Sequence, residues 1–335
     1  MTTPSLAAVL IVRDEADVLH DCLASVSGVV DQIVVHDTGS LDTTIDIARQ
    51  FGATLSAGPW TGDFAAARNA ALAGCRCDWV VSIDADERLD VHGDLRTALV
   101  DTSADVFNVE VHNLHHAMPY VHLAPRVLRA GAVRWSGRVH EQPVRLDGAP
   151  PLVDALAPAV ASLRHLGYAD VDRQTTKSRR NADIAASELA SLESGPRSDG
   201  AQISYAALDL ARSLMSAGDI EAGVAALERV RRQWPTTVAA RSATDALARH
   251  HLAVGADVVV LGLAQELRVQ GADPSYCDWL TAQALAQLGR FDEAWELLHP
   301  IDIVIDTDGR RYPQEHVARM RSLLHEVIHA QRLAG

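Results

Sequence analysis

An α/β domain followed by an all-α repeat array is the fold class this 335-residue sequence predicts, and three observations predict it. Short β-branched apolar runs alternate with helical patterns over roughly the first ninety residues, the pattern of a doubly wound, mainly parallel sheet. Each main run stops at a polar cluster: Arg13-Asp14-Glu15, His36-Asp37-Thr38-Gly39-Ser40, and Asp84-Ala85-Asp86-Glu87. Farther on, glycine-centred turns recur at Gly218, Gly255 and Gly289, 37 and then 34 residues apart, as in stacked helix pairs.

Leu6 to Val12 is the first strand, and Val18, Leu19, Cys22, Leu23 and Val26 mark one face of the helix after it. Ile33 to Val35 is the second strand; a helix over 43–51 follows, with Asp42 expected as its N-cap. Ala53 to Ser56 fits a third, shorter strand, and the helix after Asp63 carries Phe64, Ala67, Arg68, Ala71 and Leu72. Trp79 to Ile83 is the fourth strand, apolar throughout as a strand buried on both faces requires. From Ala104 the pattern becomes extended. Runs at Val106–Val111, Val121–Leu128, Val133–Trp135 and Val144–Leu146 read as mixed or antiparallel strands extending the sheet.

Asp170 to Glu193 reads as one long helix, and SGPRSDG at 194–200 breaks it. Beyond the break, Trp279, Ala282, Leu285, Gly289, Phe291, Ala294, Leu298 and Pro300 form the clearest repeat, and Tyr205 to Pro235 has the same grammar. Small residues where helices touch, a glycine turn and a closing proline at a period of about 34 are marks of tetratricopeptide repeats. The middle repeat is degenerate, and 313–333 reads as a capping helix. Such arrays leave a concave face for a peptide or a second subunit; the alternative is a packing module without a ligand of its own.

Composition narrows the function. A net charge of −14 argues against broad nucleic-acid or anionic-membrane binding. No apolar run reaches the roughly 18–20 residues that span a bilayer. The first residues lack the basic start of a signal peptide, so a cytoplasmic location is expected. Cys22, Cys75, Cys77 and Cys277 are scattered, and CxC without a second pair is a poor zinc signal, so reduced, packed thiols are expected. Neither GxGxxG after the first strand nor GxxxxGK[ST] is present, which leaves phosphate to be held by side chains and a metal.

Ligands of open α/β sheets sit at the carboxyl ends of the strands, where all three polar clusters fall. Asp84 and Asp86, two residues apart, would put two oxygens on one side of an extended chain, a donor pair for a hard divalent cation. Each candidate also has a plain reading. Asp84 to Glu87 could be a solvated loop, Asp37 a turn cap, Arg13 and Glu15 an exposed ion pair, and Arg68 a surface arginine.

In this order, LIVRDEADVLHDCLASV, DQIVVHDTGSLDTT, DFAAARNAAL and DWVVSIDADERL resemble the nucleotide-sugar-binding half of a family 2 glycosyltransferase of GT-A fold. WSGRVHE at 135–141 resembles the G-x-V-H-E signature of a subgroup, PRVLR at 125–129 the segment before it, and HLGY at 165–168 an H-x-G-Y element. The resemblance implies a UDP-sugar donor and Mn2+ or Mg2+, with Asp84 at the ribose and Asp86 on the metal, joined by His165. It implies Asp37 at the base, Arg13 and Glu15 beside the nucleoside, and Arg68 at base or phosphate; HDTGS departs from the commoner DDGS. Arg126 and Arg138 fall where donor phosphates could be neutralised, and Lys177 with Arg180 resembles a K-x-x-R-N continuation bordering the donor. Glu141 is the expected base for inverting transfer, with His140 its competitor, and either residue could instead pin a loop. Zinc at His112, His115, His116 and His122 is disfavoured for want of companion cysteines.

The expected divisions are a GT-A domain over 1–168, a linking helix and linker over 169–199, and a tetratricopeptide-like domain over 200–335. Similarity to bacterial peptide S-glycosyltransferase-type enzymes suggests a peptide or protein acceptor near the repeats. A saccharide or lipid-linked acceptor, and a non-catalytic repeat scaffold, are the alternatives. A homo-oligomer is left open.

Overall fold

The computed structural model describes residues 3–114, 119–166, 171–195 and 199–334. His115, His116, Gly167, Tyr168 and the centre of the 194–200 break lie outside them. The chain divides into two compact units, Met1–Asp170 and Val171–Gly335.

The first unit begins with β1 (Leu6–Val12), α1 (Ala16–Ser27), β2 (Gln32–Asp37), α2 (Thr44–Gln50), β3 (Thr54–Ala57), α3 (Phe64–Leu72) and β4 (Trp79–Ser82). These four strands are parallel neighbours in the order β3-β2-β1-β4. Side chains alternate across β1. Leu6, Ala8, Leu10 and Val12 pack with Leu19, Cys22, Leu23 and Val26 of α1 on one face; Ala7 and Val9 join Ala65 and Ala71 of α3 on the other. Fully burying one such leucine is worth about 1.5–3 kcal/mol, so two covered faces fix the register of the sheet.

Then come β5 (Glu87–Val91), α4 (Leu95–Ala98), β6 (Val106–Asn113), β7 (Tyr120–Arg129), β8 (Val133–Ser136), β9 (Gln142–Arg145), β10 (Val153–Ala155) and β11 (Ala161–His165). The sheet runs β3-β2-β1-β4-β7-β6-β11-β5, with β10 also on β6. It is mixed: β7 runs antiparallel to both β4 and β6, β11 parallel to β6, and β5 antiparallel to β11. Two expectations need correction. The β8–β9 pair does not extend the sheet but forms a separate ribbon against α3. Helix α2 starts after Thr43, and Asp42 instead accepts from the Thr44 and Ala16 amides, tying α2 to the start of α1.

The second unit is helical: α5 (Val171–Ser194), α6 (Gly200–Ser216), α7 (Ile220–Gln233), α8 (Val238–Ala253), α9 (Asp257–Val269), α10 (Pro274–Gln287), α11 (Phe291–Leu298) and α12 (Gln314–Ala334). Helix α5 packs on α6 within this unit. The pairs α6/α7, α8/α9 and α10/α11 turn at Gly218, Gly255 and Gly289, with φ of +85°, +74° and +76° that an L side chain rarely adopts. The middle repeat, degenerate in sequence, is complete here. The first helices line up, and the loop before α12 reaches back to α6 and α8. There Asp308 accepts from Arg212 of α6 (2.6 Å) and Ser242 of α8 (3.0 Å), Thr307 donates to Asp245 of α8 (2.9 Å), and Asp245 also pairs with Arg249 (3.2 Å). Part of the face read as open to a peptide or second subunit, or else as a packing surface without a ligand, is thus occupied at α6 and α8 by the chain's own loop.

Candidate active site

The first three polar clusters meet at one rim of the sheet because Val12 pairs with Asp37 and β4 runs parallel to β1 with Ser82 level with Val9, so that the residues after Ser82 continue to the same edge. Asp14, at φ +53°, donates its amide to Ser40 (3.0 Å) and accepts from the Leu41 amide (2.7 Å), locking the first loop onto the second. Asp37 is 9% exposed and takes the Gly39 and Ser40 amides and the Ser40 hydroxyl (2.6 Å), so it caps its own turn. Half-exposed Arg13 lies 3.9 Å from Asp14, and the Glu15 amide donates to the Thr44 hydroxyl (2.8 Å). His36 is buried against Ser56 (2.9 Å), and burial lowers its pKa.

Beyond β4 the chain does not stay extended. The Glu87 amide donates to the Asp84 carbonyl (2.9 Å) and the Glu87 carboxylate accepts the Asp84 amide (2.9 Å), closing a turn. The two aspartates therefore do not share one side of a strand, as their spacing suggested. Asp84 keeps the alternation of Val80 and Ser82 and lies on the α3 face, where Arg68 reaches it; Asp86 turns toward β11.

Arg68 is 8% exposed and anything but a surface residue. It donates to Ser82 (3.2 Å), to Asp84 Oδ1 (2.8 Å) and, from Nε, to Glu141, with its guanidinium over the Trp135 ring. The second Asp84 oxygen takes Arg126 (3.1 Å), which also donates to Glu87 (2.7 Å). Arg126 owes its position to a bulge: Phe107 faces Val127 and Asn108 faces Pro125, which leaves Arg126 as the extra residue of β7, aimed at the carboxylates. Burial acts to raise the Asp84 pKa, but the two guanidiniums prevail and hold it well below the usual range. Glu87, 1% exposed, is pushed up to about 7 by burial against the pull of Arg126.

At β11, His165 Nε2 lies 3.3 Å from Asp86 Oδ2, and the hydrogen bond to Asp86 raises the imidazole pKa. Adjacent ligands of an octahedral Mg2+ at about 2.1 Å stand about 3 Å apart, so these two donors fit neighbouring places on one ion. Among the described residues no group of three or more His, Cys, Asp and Glu side chains could hold a metal, so water and donor phosphates would complete the shell.

Glu141 and His140 take different settings. Glu141 is held by Arg68 with little exposure; His140, at φ +53°, is exposed. Arg138 donates to the Gly62 carbonyl (3.2 Å) and its own carbonyl accepts from Phe64, tying the ribbon to the start of α3. Lys177 lies on α5, in the helical unit. His112 pairs with Glu110 (3.5 Å) and His122 with Asn113 (2.9 Å), and the described cysteines are all free thiols. Sequence reasoning missed Arg88 and Asn113. Arg88 braces the acidic turn by donating to the Ala85 and Glu87 carbonyls and to Val18 of α1, and nothing in its local pattern signals this.

Residues 7–101 match the family described as glycosyl transferase family 2. The chain is 37% identical over 166 residues to a TPR repeat-containing protein of Synechococcus elongatus, covering 48% of this chain and 41% of that one. It is 28% identical over 201 residues to the SPbeta prophage-derived glycosyltransferase SunS of Bacillus subtilis, covering 57% and 46%. Uncharacterized Rickettsia glycosyltransferases match over shorter stretches, that of Rickettsia bellii at 34% identity over 27% of this chain and 30% of its own. The chain thus spans less than half the length of the curated relatives it matches. Among solved structures, glucosyl-3-phosphoglycerate synthase from Mycobacterium tuberculosis in complex with Mn2+, UDP and glucosyl-3-phosphoglycerate aligns at TM-score 0.27 and 22% identity, covering 33% of this chain and 45% of that one. S. aureus TarS 1-349 aligns at TM-score 0.39 and 12% identity, covering 92% and 96%.

Proposed function

From a chain whose first unit carries a glycosyl transferase family 2 domain, we propose a metal-dependent inverting glycosyltransferase that moves a sugar from a nucleotide-sugar donor, a UDP-sugar in the first instance. The observation that carries this is the rim itself, where Asp84, Arg68, Arg126 and Glu141 are bonded together and Asp86 meets His165. Asp86 and His165 are the residues that would hold Mn2+ or Mg2+, which supplies charge neutralisation for the departing diphosphate. Asp84, fixed by two arginines, stands where a ribose hydroxyl could donate to its remaining lone pairs; Arg13, Glu15 and Asp37 frame the nucleoside side. The engagement of Arg68 and Arg126 by carboxylates supports positioning roles for them over direct phosphate contact. Lys177 keeps its donor assignment on the motif resemblance alone.

For the acceptor's proton we assign Glu141. One oxygen is anchored by Arg68, leaving the other to accept from an attacking hydroxyl or thiol, whereas His140 is exposed. A peptide or protein side chain is the acceptor class proposed, on the resemblance to bacterial peptide S-glycosyltransferase-type enzymes. A non-catalytic scaffold is less well supported, since the chain's own loop occupies part of the aligned repeat face.

The test is donor turnover. The protein is incubated with UDP-, GDP- and TDP-sugars and Mn2+, and nucleotide release is followed by mass spectrometry. We expect hydrolysis or transfer with one donor class; no release from any donor, and no thermal stabilisation by UDP with Mn2+, would overturn the reading.

A further inference from the structure

We infer that Asn113 is a positioning residue that holds the His165 imidazole as its Nδ1–H tautomer, so that Nε2 turns a lone pair toward a cation shared with Asp86. The inference rests on the metal reading above. Asn113 closes β6, is 4% exposed, and faces His165 in register on β11. Its Oδ1 lies 2.9 Å from His165 Nδ1; its Nδ2 lies 3.3 Å from the Val111 carbonyl and 2.9 Å from His122 Nδ1.

Only one orientation of the amide satisfies these contacts. Flipped, it would set its oxygen against the Val111 carbonyl, two acceptors with no proton between them. Unflipped, Nδ2 donates to Val111 and His122, and Oδ1 can only accept. His165 Nδ1 must therefore carry a proton; any proton on Nε2 is the one donated to Asp86 Oδ2, 3.3 Å away, and it is that proton which a cation displaces, leaving the Nε2 lone pair free to bind. The other tautomer would point an N–H at the cation. A hydrogen bond to the remote ring nitrogen is the usual means of fixing a metal-binding imidazole, and losing such a partner commonly costs 10- to 100-fold in metal affinity.

Two measurements on the full chain test this. The first is the long-range 1H–15N spectrum of metal-free, 15N-histidine-labelled protein at alkaline pH, with His165 assigned by comparison with His165→Gln. The Nδ1–H pattern is expected in the wild type and a tautomer mixture in Asn113→Leu. The second is Mn2+ affinity in the presence of UDP by titration calorimetry. Asn113→Leu should lose about 10- to 100-fold, whereas Asn113→Asp, which keeps an acceptor oxygen, should retain most of the affinity. A wild-type His165 protonated on Nε2, or a natively folded Asn113→Leu with wild-type Mn2+ affinity, overturns the inference. If wild-type protein takes up no Mn2+, the metal reading falls and this inference with it. Should Asn113→Leu fail to fold, the wild-type tautomer still decides.

Discussion

Arg68 serves Ser82, Asp84 and Glu141 from one planar head beneath Trp135, and removing it would strand the Glu141 carboxylate at a largely buried spot and leave Asp84 to Arg126 alone. Breaking such an arrangement from one side costs about 3–5 kcal/mol, so Arg68→Met should lose that much in urea denaturation. Arg68→Lys should recover only part, because an ammonium cannot reproduce the fork. The carboxylates should separate by function: Asp86→Ala is expected to abolish Mn2+-supported UDP binding, and Glu141→Gln to leave binding intact while removing turnover. Calorimetry and a rate assay distinguish the two, and full activity in Glu141→Gln would return the base to His140. The residue types at the rim were legible in the sequence; their partners were not. ARN and DADE are local strings, whereas the pairing of Arg68 with Glu141 spans 73 positions and exists only once α3 and the ribbon meet.

Among the elements, β8 and β9 depart most from their sequence pattern. Their short alternating runs read as sheet extensions, yet they stand apart because Asn69 of α3 takes both polar groups of Trp135, donating to its carbonyl (2.9 Å) and accepting from its amide (2.8 Å). Each such bond is worth about 1 kcal/mol, with a further cost for a group left unpaired, so Asn69→Leu should lose about 2–3 kcal/mol and expose the ribbon to limited proteolysis. In the helical unit, burial lifts Asp209 of α6 to about 7, with Arg212 opposing and Glu188 adding to the effect. Between 3.8 and about 7 the folded chain holds a proton that the unfolded chain has lost, so this residue's contribution to stability declines as pH rises through that window. Asp209→Asn should match the parent near pH 4 and exceed it by about 1–3 kcal/mol at pH 8 in urea titrations.

At the scale of the whole molecule, two units with separate cores should melt as separable calorimetric transitions. UDP with Mn2+ at a hundredfold excess over Kd adds about 2.7 kcal/mol to whatever binds it, so the first unit's transition alone should rise. A shift confined to the helical transition would place the nucleotide elsewhere. The sequence by itself determined the alternating strands and helices, the paired-helix repeats with their left-handed glycines, and the identities of the acids and bases gathered at the strand ends. Those are set by hydrophobic period and backbone allowance, which act over a few neighbouring residues. Tertiary structure alone decided that the acidic segment turns, that a bulge aims Arg126, that Asn113 stands behind His165, and that a loop returns to bond with α6 and α8. Each depends on which distant segment arrives to satisfy a buried charge or hydrogen bond, and local pattern carries no record of that partner.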